Sequence, residues 1–500
     1  DQNMNLSISA TNARAKTLEE EVQAMKKTVV LYPGLGVGHL VPMVELAKVF
    51  LKHGVAVIVA LIDPGSKSTD FSAAVARAKT SNPSVDFHVL PPPPPPAPVD
   101  SNSQQVAAST HHVTKIFKLL TAMNAPLRDF LRSLPSVDAL ILDMFCADAQ
   151  DVAAELELPV YYFYASGAAD LAIFLNLPSR VAGNTAKMKE LGDSVITFPG
   201  VPPFKASDLP NEVIGDGEAL PAIVGMFDRM SRADGILVNS FDSLETRAVS
   251  ALRDGLCVPN RATPPVYCVG PLVSGGGGGD KEHECLRWLD AQPDKSVVFL
   301  SFGSMGTFSG KQLLEIAVGL EKSGERFLWV VRTPRSPDFS YGDPLPEPDL
   351  DALMPEGFLE RTKDRGLVVK SWAPQVEVLR HRATGAFVTH CGWNSTLEGI
   401  TAGLPLLCWP LYAEQRVNKV HIVEEMKLGV EMRGYNQEVV KAEEVEEKVR
   451  WVMASEGGEA LRERVAAAKE GAAEALKEGG SSHLAFVQFL EDLDTATVQD

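Results

Sequence analysis

His39 follows the glycine-rich run Gly34-Leu35-Gly36-Val37-Gly38 and precedes a helix-length apolar segment, Leu40 to Leu51, closed by His53-Gly54. An imidazole at a helix start feels the positive end of the backbone dipole, which lowers its pKa and favours the neutral ring. That is the state a general base requires. Asp143 closes the apolar run Ala139-Leu140-Ile141-Leu142. In a parallel sheet it reaches the same edge as His39, where a carboxylate accepts from one ring nitrogen while the other takes a proton. A solvated histidine, and an aspartate that merely caps the chain from Met144 onward, are the plainer alternatives.

A second set of polar groups lies in the 44-residue span from Trp372 to Gln415. Gly385 to Cys391 reads as a buried strand, Gly392 permits a close turn, and a helix is expected to begin near Asn394 or Ser395. Unpaired backbone N–H groups at that start, two side-chain donors and the imidazole of His390 make an anion site suited to a phosphate. Trp372, ending the preceding strand, offers a flat π-surface to a nucleobase, a contact worth about 1–3 kcal/mol; core filling is its alternative. Glu398 either closes a capping box with Ser395 or faces outward to accept two ribose hydroxyls, the reading preferred here. Glu414 and Gln415 carry acceptors and donors suited to hexose hydroxyls, unless they form a solvated loop pair.

Both sets need rigid supports. Apolar, β-branched-rich runs recur at Thr28 to Pro33, Val55 to Asp63, Val85 to Leu90, Ala139 to Phe145, Val160 to Ala165 and Gly235 to Ser240, with helix-length segments between most of them. Strands apolar nearly throughout, alternating with helices, predict a parallel sheet covered on both faces. The pattern restarts at Val297 to Ser304, Arg326 to Arg332, Gly366 to Trp372, Gly385 to Cys391, Pro405 to Pro410 and Gly429 to Met432. The expected fold class is α/β, two doubly wound Rossmann-like domains facing across a cleft, and 500 residues is ample for both. Between the series lie Thr263-Pro264-Pro265, one short strand-like run ending at Gly270-Pro271, and the tract Gly275 to Gly279, so residues 263–280 are expected to be the linker. Ligand then belongs between the domains, at the carboxyl ends of both strand sets. Pro91 to Pro96 reads as a polyproline-II loop and His483 to Leu493 as an amphipathic terminal helix.

The chain carries 47 Lys and Arg against 65 Asp and Glu, a net charge of −18. A basic face tracking a nucleic-acid backbone is not expected of it, and no apolar run approaches the roughly 20 residues of a membrane span. The six cysteines are sparse and never spaced C-x-x-C, which reads as buried reduced thiols. A cytoplasmic monomer is expected, with polar residues 1–24 as a leader or appended remnant before Met25. Asp349-Leu350-Asp351 and Asp492-Leu493-Asp494 have the spacing of a metal-holding pair, but neither ends a buried strand, so no metal is expected. The first glycine turn, with Asp63 ending the next strand, allows an NAD-dependent oxidoreductase as an alternative. Its spacing is G-x-G-x-G rather than G-x-G-x-x-G, and His39 stands where a pyrophosphate would approach.

Trp372-Ala373-Pro374-Gln375, His390 through Gly399, Pro405, Trp409-Pro410 and Glu414-Gln415 resemble the signature box of the plant secondary-product (family 1) UDP-glycosyltransferases. The similarity extends from Met25 over nearly the whole chain, including His39, Asp143, Pro199-Gly200-Val201-Pro202-Pro203, Gly270-Pro271-Leu272 and Ser301-Phe302-Gly303-Ser304. The resemblance implies the GT-B fold, with residues 25–262 binding acceptor, 281–480 binding UDP-sugar and 481–500 returning as a helix onto the first domain. It implies that Trp372 stacks on uracil, the Ala373 backbone pairs with its edge, and Gln375 and Glu398 hold the ribose. His390, Asn394, Ser395 and the Trp393 backbone would take the phosphates, with Ser304 nearby, and Glu414 and Gln415 the sugar, a glutamine there being associated with glucose.

The reaction implied is inverting displacement at the anomeric carbon of UDP-glucose, with His39 and Asp143 as the catalytic pair, no cofactor, and a flavonoid-like phenol as acceptor. Gly36, His111, Phe145, Phe204, Met226 and the Tyr161 to Tyr164 stretch are candidate acceptor contacts. A sugar-nucleotide sensor without turnover is the remaining alternative, and the presence of both His39 and Asp143 argues against it.

Overall fold

The computed structural model describes residues 27–63, 69–93, 112–182, 186–215, 219–275, 283–336, 339 and 345–498. Its first half contains β1 (Thr28–Tyr32), β2 (Ala56–Ile62), β3 (Asp86–Leu90), β4 (Ala139–Asp143), β5 (Val160–Tyr164), a small antiparallel pair β6 (Val195–Ile196) and β7 (Phe204–Lys205), then β8 (Gly235–Val238) and β9 (Val266–Cys268). All but β6 and β7 form one seven-stranded parallel sheet, ordered β3-β2-β1-β4-β5-β8-β9. The second half supplies β10 (Val297–Ser301), β11 (Arg326–Val331), β12 (Gly366–Lys370), β13 (Thr384–Thr389), β14 (Leu406–Cys408) and β15 (Gly429–Glu431). These make a six-stranded parallel sheet, ordered β12-β11-β10-β13-β14-β15.

The apolar runs form strands because both sheet faces are covered. Alternate residues of β1 go to opposite faces: Val30 and Tyr32 join one core, Val29 and Leu31 another, and all four are fully buried. Both sheets reverse strand order beside their first strand, at β1/β4 and at β10/β13. Such switch points open a crevice at the carboxyl ends of the strands. In the first sheet Tyr32 pairs with Leu142, which sets Gly34 beside Asp143; in the second Ser301 pairs with Thr389, which sets Gly303 beside His390.

Several boundaries differ from the sequence expectation. β9 lies inside the stretch 263–280 expected to be linker and pairs with β8, Val238 opposite Cys268, so the first sheet extends five residues and more beyond Thr263. The strand-like run expected there is thus an edge strand of the first sheet, three buried residues long, rather than part of a linker. Gly276 to Gly279, and Pro94 to Pro96, fall outside the described residues. The first helix spans Val37–Lys52, not Leu40 to Leu51, and so includes Gly38 and His39 in its first turn. The run to Phe145 stops at Asp143, and Met144–Ala149 is a 3-10 turn.

The terminal helix Ser481–Val498 lies on the first sheet, not the second. Phe486 and Phe489 meet Phe50 edge-on, and Phe489 also meets Tyr161 and Tyr267. The Tyr267 hydroxyl donates to Asp492 and the Ser482 hydroxyl to the Gly270 carbonyl. The lobes exchange apolar side chains as well: Phe241 and Leu244 are buried in the second core, Val417 and Val420 in the first. The six cysteines are unpaired and buried, and burial pushes the thiols of Cys257 and Cys285 up to about 12. Among the described residues no helix is long and apolar enough to cross a membrane.

Candidate active site

On the first lobe, Nδ1 of His39 lies 2.7 Å from Oδ2 of Asp143. Asp143 is fully buried at the end of β4, and its other oxygen, Oδ1, accepts the Phe145 N–H at 3.0 Å. Partner and cap, set out as alternatives from sequence, are thus two oxygens of one carboxylate. Gly34 is required by this approach, since a Cβ there would stand 2.4 Å from Oδ1. The space a pyrophosphate would need against that glycine is filled by the aspartate, which removes the oxidoreductase reading.

The electrostatics of His39 differ from the sequence expectation. Burial lowers its pKa, as the helix dipole was expected to, but the charge and hydrogen bond of Asp143 and the charge of Glu414 outweigh it and hold the ring above 6.5. A full carboxylate charge in contact exceeds the partial charge of a helix end.

On the second lobe, the helix Trp393–Ala402 begins one to two residues earlier than expected, with Gly392 as its cap. Ser395 is therefore inside the helix, and the capping-box reading of Ser395 and Glu398 fails. Glu398 instead accepts from Nε2 of Gln375 at 2.6 Å; the same nitrogen is 2.9 Å from the Ser395 hydroxyl, and Ser301 donates to Oε1 at 2.7 Å. Burial raises Glu398 to about 7, against the opposing bond from Gln375. His390 is clamped between Gly303 and Gly392, where a Cβ on either would come within 2.5 Å of Nε2. Burial lowers its pKa to about 4, so the ring is a neutral donor rather than a cation. Its Nδ1 and Oδ1 of Asn394 are buried with no hydrogen-bond partner among the described residues.

Trp372 lies beyond the end of β12 and is 42% exposed, which excludes core filling. Ala373 is buried beside it and Ser304 lies exposed in the loop after β10. Ser371, Cys391 and Ala413 hold φ of 62, 65 and 52° directly before Trp372, Gly392 and Glu414. Non-glycine residues in that region cost about 1–3 kcal/mol each and cluster at working sites. Gln415 departs from a purely sugar-facing role: its Oε1 accepts the N–H groups of Leu411 (2.9 Å) and Tyr412 (3.0 Å) and so shapes its own loop. Glu414 receives Asn418 Nδ2 at 3.4 Å, and burial raises its pKa.

The lobes meet at these groups. Asn394 Nδ2 donates to the Gly38 carbonyl at 2.8 Å, and Trp393 Nε1 to the Asn239 carbonyl at 2.7 Å. The Gly38 carbonyl is available because its partner in the helical ladder would be residue 42, a proline without an N–H. Beside His39, the Phe145 ring lies 4.9 Å away and forms part of the wall of a cavity of ≈ 270 Å³. Met226 also lines it, with Phe117, Thr121, Asp148 and Arg229, none of which carried a local sequence signal.

The other acceptor candidates behave differently. Gly36 caps the His39 helix with φ 112°. Phe204 is buried and stacks on Phe198, and Tyr161 to Tyr164 are buried core of β5, so neither lines the cavity. His111 lies outside the described residues. Of the two D-x-D strings, Asp349 caps a short helix and Asp492 accepts from the Tyr267 hydroxyl.

Residues 266–456 match the family described as UDP-glucoronosyl and UDP-glucosyl transferase. The chain is 42% identical over 472 residues to an anthocyanidin 5,3-O-glucosyltransferase of a Rosa hybrid cultivar, covering 91% of this chain and 96% of that one. It is 42% identical over 494 residues to a phloretin 2'-O-glucosyltransferase of Pyrus communis, covering 94% and 100%. Among solved structures, Phytolacca americana UGT2 complexed with UDP-2fluoro-glucose and pterostilbene superposes with a TM-score of 0.80 at 34% identity, covering 94% and 100%. Medicago truncatula UGT71G1 complexed with UDP-glucose gives 0.79 at 32%, covering 94% and 98%.

Proposed function

The chain belongs to the plant UDP-glycosyltransferases of GT-B fold, and from that premise we propose that it transfers glucose from UDP-glucose to a hydroxyl of a small phenol, with inversion and without a metal. The observation that carries the reading is the His39–Asp143 contact of 2.7 Å, with the His39 ring 4.9 Å from that of Phe145, a residue that lines the cavity. With Nδ1 engaged, Nε2 takes the acceptor's hydroxyl proton. The oxygen then forms its bond to the anomeric carbon as the bond to the UDP oxygen breaks on the opposite face, and UDP leaves with the electron pair. Asp143 stabilises the imidazolium that results.

The start of the Trp393–Ala402 helix, Asn394 and the neutral His390 meet the charge developing on the departing diphosphate, the part a divalent metal plays in other transferases. Trp372 carries the uracil, Gln375 and Glu398 the ribose, and Glu414 with Gln415 the hexose. A phenolic acceptor fits a cavity walled by Phe117, Phe145 and Met226, with Thr121, Asp148 and Arg229 as polar anchors. The relatives named for anthocyanidin and phloretin support that class. A panel of phenols supplied with UDP-glucose, with product position read by NMR, tests the proposal. Failure to glucosylate any phenolic hydroxyl would overturn it.

A further inference from the structure

We propose that Arg77 guards the nucleobase seat: its guanidinium, carried by the acceptor lobe, covers the face of Trp372 and is displaced by the base of the incoming donor. Donor affinity is then set partly by a residue outside the donor lobe. The inference rests on the reading of Trp372 as the uracil platform.

Arg77 is exposed on the helix Thr69–Ser81, between β2 and β3, and its guanidinium carbon lies 5.7 Å from the centre of the Trp372 ring. His283, the cap of the helix Glu284–Asp290, meets the same ring edge-on at 5.7 Å and 76°. A base inserted between guanidinium and indole needs two van der Waals gaps, about 7–8 Å in all. The present separation is smaller, so base and guanidinium cannot share the ring without movement.

Exchange is favoured over a sandwich by the chemistry of the two rings. Indole is the best π-partner for a cation, whereas the uracil ring is depleted of π-electrons by its two carbonyls. On donor binding Arg77 therefore gives up its better partner. The contact also ties the two lobes together.

The test is the calorimetric affinity of wild type, Arg77→Ala and Arg77→Lys for UDP and for uridine, the neutral nucleoside separating stacking from long-range attraction to phosphate. Arg77→Ala is expected to bind uridine about 2- to 5-fold more tightly, the weight of a solvent-exposed cation–π contact, with Arg77→Lys between. In a Trp372→Ala background the same change is expected to have no effect on uridine. Unchanged or weaker uridine binding by Arg77→Ala would overturn the inference while leaving the donor site intact. If wild type bound neither UDP nor uridine, the reading of Trp372 itself would fall with it.

Discussion

At the scale of single residues, each working group is defined by what touches its other side. In the proposed mechanism His39 serves as the base because Asp143 engages Nδ1. His39→Ala is expected to lower transfer to a phenol by about 10²- to 10⁴-fold, the usual weight of a positioned base, while the Kd for UDP changes little. Equal loss of both would count against the assignment. Because the ring is held above 6.5 and only its neutral form accepts a proton, kcat/KM should rise as pH climbs through that higher value. Asp143→Asn removes the largest influence raising it and leaves burial, which lowers it. The rising limb of the pH profile should then move to lower pH as kcat drops, and an unmoved limb would separate the two residues.

The same ion pair stabilises the fold below the ring's unfolded value, a contribution lost as pH rises through the folded one. Glu398, raised to about 7 by burial, must be ionised to accept two hydroxyls, so UDP affinity should weaken as pH falls below about 7. A flat affinity from pH 8 to 6 would exclude it from ribose binding.

At the scale of elements, the turns after β1, β10, β12 and β13 do the positioning. Gly34→Ala places a methyl 2.4 Å from Asp143 Oδ1 and must shift the carboxylate. Misplacement by about 1 Å can cost a reaction 10²-fold, so kcat should fall steeply with the donor KM near wild type, readable from steady-state kinetics. Trp372→Ala should weaken donor binding by about 5- to 150-fold, the range of base–aromatic stacking. An unchanged donor KM would mean that no base rests there.

This is also where sequence was most and least informative. β1, β4, β10 and β13 are legible because burial on both faces makes their residues continuously apolar. The residues His390 to Glu398 are legible because one strand, one turn and one helix hold them in local sequence. β9 was legible as a strand-like run, but its place in the first sheet was not, because its neighbour β8 lies about 30 residues earlier; the first turn of the Val37–Lys52 helix was hidden by glycines that favour loops in isolation. Arg77 on Trp372, Asn394 on Gly38 and the polar anchors of the cavity depend on how two lobes meet. No local pattern encodes such contacts.

At the scale of the whole molecule, the charge balance and the site obey different rules. A net charge of −18 is compatible with the proposed diphosphate seat because the field near a diphosphate is set by one helix start and its neighbours. Transfer should accordingly survive exhaustive chelation at full rate, and strict metal dependence in a chelated assay would overturn the metal-free mechanism. The lobes are tied by hydrogen bonds from Trp393 and Asn394, by the buried crossing of Phe241 and Leu244, and by the terminal helix. That last element has a consequence for biosynthesis. Phe486, Phe489 and Leu493 close the apolar underside of the first sheet against Phe50, Tyr161 and Tyr267, yet they follow β9 by about 220 residues of chain. At 5–20 residues per second, roughly 10 to 40 s separate emergence of β9 from that of its cover. During that interval the nascent first lobe displays a greasy flank, and a message truncated before residue 486 leaves it displayed for good.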